Sequence, residues 1–208
     1  NDRTSFVCII VCVATMARTV SIYKHWLEKG NIFGGKPRAY IDDNGKLSFL
    51  PNPVKNKGEI KYLYRQKKIL TKWDGNYQYF KNNRFNIFGN KAQNYSLQIW
   101  ADESELFYAL MNRFNNLSGK YNFSPMFVLL ADKGVAKKRI SGQVLQYQNV
   151  IEKASLKFSD ISFIDLTLDL YKKIDIDDAY VASGGGHFSP DANRVIAQLI
   201  GDKAFRNL

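Results

Sequence analysis

Residues 6–13 read Phe-Val-Cys-Ile-Ile-Val-Cys-Val, apolar at every position. A strand without a polar face has to be covered on both sides, which is the condition of an inner strand in a parallel sheet sandwiched between helices. The run is too short to span a membrane, which takes roughly 20 apolar residues. A second reading is the hydrophobic part of a signal peptide, with Arg3 ahead of it and the small residues Ala14 and Ala17 behind it. Valine, isoleucine and cysteine without leucine suit the buried strand better.

Two later runs extend the pattern. Met126-Phe127-Val128-Leu129-Leu130-Ala131 is a second fully apolar strand, introduced by Pro125, and Ile161-Ser162-Phe163-Ile164-Asp165 is a short third. Helical spacing separates them. In residues 102–115, Leu106, Phe107, Leu110, Met111 and Phe114 make one stripe, and in residues 141–157, Val144, Tyr147, Gln148 and Ile151 mark one side. A helical turn is expected over residues 167–172, and residues 18–29 also fit a helix, with Val20, Tyr23, Trp26 and Leu27 on one side. Strands alternating with helices of this length predict parallel βαβ units, hence an α/β three-layer sandwich with a mostly parallel sheet.

Residues 36–50 depart from that alternation. Arg38-Ala39-Tyr40-Ile41 and Lys46-Leu47-Ser48-Phe49 flank Asp42-Asp43-Asn44-Gly45, and Asn-Gly is the strongest short hairpin signal. We therefore expect a single domain over residues 1–208 carrying a hairpin-containing insertion at about residues 34–100. Cys8 and Cys12 are the only cysteines; lying inside the first apolar run, they predict buried free thiols rather than a disulfide framework or a zinc site.

The charge is lopsided. Thirty Lys plus Arg stand against nineteen Asp plus Glu, a formal net charge of +11, which favours polyanionic neighbours without choosing among them. Residues 55–91 hold ten basic side chains and two acidic ones, interleaved with Tyr62, Tyr64, Trp73, Tyr77, Tyr79, Phe80, Phe85 and Phe88. Positive charge between aromatic faces is a surface for an anionic polymer, polysaccharide or nucleic acid. A solvated basic helix followed by a loop packed through its aromatic rings accounts for the same residues.

One of the two histidines stands in a setting of its own. Ser183-Gly184-Gly185-Gly186-His187-Phe188-Ser189-Pro190 puts His187 behind three glycines and directly ahead of a helix start, with Ser189 as N-cap and Pro190 at the first helical position. Ala192, Val195, Ile196, Leu199 and Ile200 then recur at helical spacing, with Gly201 as the expected stop. Glycines leave room around the imidazole. In an open parallel sheet, ligands bind beyond the carboxyl ends of the strands, and a loop of this kind can reach that edge.

The segment Ile164-Asp165-Leu166-Thr167 together with Gly186-His187-Phe188-Ser189-Pro190-Asp191-Ala192-Asn193-Arg194-Val195-Ile196-Ala197 resembles the last strand and final block of SGNH (GDSL-type) hydrolases, α/β serine esterases of SGNH/flavodoxin-like architecture. A looser likeness to a substrate-side insertion covers Arg18, Lys36-Pro37-Arg38, Asp43-Asn44-Gly45-Lys46-Leu47 and Pro51-Asn52-Pro53-Val54. The resemblance implies that His187 is the general base, taking a proton from a serine hydroxyl as it attacks an ester carbonyl and returning it to the leaving alcohol. It implies an acyl or acetyl ester substrate, a small molecule or a carbohydrate, and no cofactor or metal.

The chain departs from the family pattern at three places. It contains no Gly-Asp-Ser nucleophile block and no Gly-x-Asn-Asp block, and Gly184 stands where the triad acid is expected. Thr15, just past the first strand, is a candidate hydroxyl for the missing oxyanion donor. Asp178, with Asp175 and Asp177, is a candidate to orient the imidazole, as is a backbone carbonyl. The expectation from these gaps is a fold incomplete at its amino-terminal side and inactive alone, or else a non-catalytic relative that binds an anionic polymer through residues 55–91. The compartment stays open, extracytoplasmic and cell-surface locations included.

Overall fold

The computed structural model describes residues 5–13, 38–51, 100–101, 104–181 and 187–205. The chain divides into two compact units, one formed by residues 1–13 and 111–208, the other by residues 14–110.

The first unit is built on three parallel strands, β1 (Phe6–Cys12), β4 (Ser124–Leu130) and β5 (Ser162–Asp165), in the order β1-β4-β5. Five helices occur among the described residues: α1 (Ser104–Tyr121), which begins in the second unit, α2 (Lys133–Ile140), α3 (Gln146–Lys157), α4 (Thr167–Tyr171) and α5 (Pro190–Phe205). The architecture is therefore α/β, a parallel sheet flanked by helices.

Strand β4 is the middle strand, and from Pro125 to Leu130 every residue is buried. Phe6 to Cys12 pair in register with Ser124 to Leu130, and Met126 to Leu129 with Ser162 to Asp165. One face of β4, Met126, Val128 and Leu130, packs with Ile164, Leu166 and Leu170 against Ile196 and Leu199 of α5. The spacing of the buried residues Ala192, Ile196 and Leu199 explains why α5 lies there.

Strand β1 differs from its expected setting. It lies at the edge of the described sheet with Val7, Cys8 and Ile10 exposed, Ile10 by 52%. The buried cluster on that face is centred on β4 and β5, so the positions opposite Met126 and Val128, which are Cys8 and Ile10, stay open. The cysteines are free as expected, but they are not buried: Cys8 is exposed and Cys12 half-buried.

Local chemistry sets the helix ends. Asn122, at φ 54°, takes the left-handed turn that ends α1, and the Phe123 N–H donates back to the Ser118 carbonyl. Asp132 caps α2 by accepting from the Gly134 and Val135 N–H groups. The single helix expected over residues 141–157 starts only at Gln146, leaving Val144 exposed; its buried side is Tyr147, Val150 and Ala154. Gly201 does not stop α5, which continues to Phe205. Asp169 of α4 joins Lys203 of α5 and its neighbour Lys172, and the hydrogen bond from Lys203 is the main reason its carboxyl lies below the usual range.

The second unit contains the hairpin β2 (Arg38–Ile41) and β3 (Leu47–Leu50), antiparallel. Its loop is closed by Asp42, whose carboxylate accepts from the Asn44 and Lys46 N–H groups and the Ser48 hydroxyl, while Gly45 takes φ 72°. Those bonds hold the Asp42 carboxyl below its ordinary value, the one from Lys46 foremost.

Candidate functional site at the carboxyl edge of the sheet

Because the three strands are parallel, their carboxyl ends share one edge, where Cys12, Ala131 and Leu166 lie. Beyond it, residues 175–181 and 187–189 are joined by backbone and side-chain hydrogen bonds. Asp175 accepts from the Asp177 N–H at 2.7 Å through its side chain and from the Ala179 N–H at 2.9 Å through its carbonyl, which makes a turn. Tyr180 then pairs with Phe188 in an antiparallel bridge. The Val181 N–H donates to the His187 carbonyl at 3.0 Å, and the Ser189 N–H donates to the Ala179 carbonyl at 2.9 Å. The two rings stack with centroids 5.0 Å apart.

Tyr180 fastens this ladder to the sheet. Its hydroxyl donates to the Ala131 carbonyl at 2.7 Å, at the end of β4, and meets the Tyr171 hydroxyl. A phenol has one hydrogen, so Tyr180 spends its own on Ala131 and accepts the one from Tyr171. Burial pushes the Tyr171 phenol up to about 12 and raises that of Tyr180 as well. Both phenols therefore stay protonated at neutral pH and act as donors.

His187 is carried on this ladder and is exposed. On the other side, Ser189 accepts from the Ala192 N–H at 3.2 Å and caps α5, as its sequence position predicts. The backbone at His187 is thus held between a bridge tied to the end of β4 and a helix packed on the sheet.

The other sequence candidates separate. Asp178 is exposed, and the Tyr180–Phe188 bridge stands between it and His187 along the ladder, where the residue across from His187 is Val181. Asp177 forms an ion pair with Lys133 at 2.6 Å, and this neighbour holds its carboxyl below the usual range. Thr15, the three glycines before His187 and residues 55–91 lie outside the described residues. Among the described residues there is no group of three or more His, Cys, Asp or Glu side chains able to hold a metal ion, and no helix is long and apolar enough to cross a membrane.

A second polar group occupies the β5 end of the same edge. Asp165 accepts from the Thr167 N–H at 2.9 Å and the Tyr147 hydroxyl at 3.2 Å, with an Arg139 guanidinium nitrogen 3.9 Å away. Burial, ahead of the Asp165 charge, raises the Tyr147 phenol. This group locks α2 and α3 to β5.

Sequence reasoning did not single out Tyr171, Tyr180 or α2. Of these, only α2 carries a local signal: Asp132 is a good N-cap three residues ahead of Val135, and Lys137, Lys138 and Arg139 favour the last helical turn. No family model, no curated protein and no solved structure matches this chain.

Proposed function

We propose that this chain supplies the general-base side of an SGNH-type serine ester hydrolase, acting on an acyl or acetyl ester of a small molecule or carbohydrate. The observation that carries the reading is the position of His187: exposed, at the carboxyl edge of a parallel sheet, on a ladder bonded to the end of β4. A general base needs that access, because it must reach both a hydroxyl and a leaving group. The finer architecture, a three-layer sandwich with a mostly parallel sheet, belongs to the same proposal. The nucleophilic hydroxyl remains to be supplied, since no Gly-Asp-Ser block occurs in these residues.

The test is hydrolysis of p-nitrophenyl acetate by the polypeptide as its gene encodes it, beside the His187→Ala variant. Loss of a general base lowers the rate by about 10²–10⁴-fold. Equal rates in the two proteins would remove His187 from the chemistry.

The charge surplus in residues 55–91 favours a second reading, a non-catalytic protein that binds an anionic polymer there. Binding to heparin that weakens steeply with salt, together with no ester hydrolysis, would select it.

A further inference from the structure

We draw no further inference here: the strongest candidate, the apolar edge strand β1 with Val7, Cys8 and Ile10 exposed, carries none, because nothing among the described residues shows what covers it.

Discussion

Leu129→Ala is expected to destabilise the parallel-sheet unit by about 2–5 kcal/mol, the range for emptying a leucine site in a packed core. Leu129 is fully buried on β4, the middle strand, paired with Val11 on one side and Asp165 on the other. The same truncation at Ile10 should cost about 1 kcal/mol or less, because that side chain already meets water over half of its surface and its removal leaves little cavity. Chemical denaturation of the two variants gives the comparison. The difference follows from sheet order: both residues sit in uninterrupted apolar strands, and among the described residues only β4 has a strand on each side. Equal losses at the two sites would mean that β1 is covered in solution.

Tyr180→Phe is expected to cost about 1–3 kcal/mol, although the ring stays and no cavity forms. The hydroxyl is the common partner of the Ala131 carbonyl and the Tyr171 hydroxyl, so its loss strands both in a buried setting. Tyr171→Phe removes one donor and leaves the bond to Ala131, so it should cost less, about 1 kcal/mol. Tyr180 bonds the His187 ladder to the sheet, so on the proposed hydrolase reading Tyr180→Phe should also slow ester hydrolysis while His187 remains in place. Urea unfolding midpoints and esterase rates of the two variants check the order. A Tyr171→Phe loss equal to or greater than that of Tyr180→Phe would contradict the assigned direction of the two hydrogen bonds.

Much of this arrangement was legible from local patterns. The apolar strand β4, the short strand β5, the Asp-Asp-Asn-Gly hairpin and the start of α5 each rest on residues close in sequence: Ser189 caps, Pro190 opens the helix, and Ala192, Ile196 and Leu199 bury its inner side. What failed was what depends on neighbours distant in sequence. An all-apolar strand says that it needs covering, but only the sheet order says whether a second strand lies beside it, so the exposure of Ile10 was not foreseeable from residues 6–13. Helix α2 buries just Val135 and Ala136, too few positions to show a period, so its residues did not separate from the strand before it. Val144 matched the period of α3 but precedes its first turn, where the Gln148 side chain accepts the Leu145 N–H and fixes the start. His187 stands out in the sequence because glycines and a helix cap frame it. The tyrosines that hold its ladder come from two segments and carry no shared spacing.

The most direct measurement on the native polypeptide is acylation of histidine by diethyl pyrocarbonate, followed by peptide mass spectrometry and esterase assay on the same samples. An exposed imidazole that acts as the base should be modified without denaturant, with activity falling in step with the His187 adduct and returning when hydroxylamine removes it. Full activity in protein whose His187 is completely modified, or loss of activity while that residue stays untouched, would contradict the role given to it.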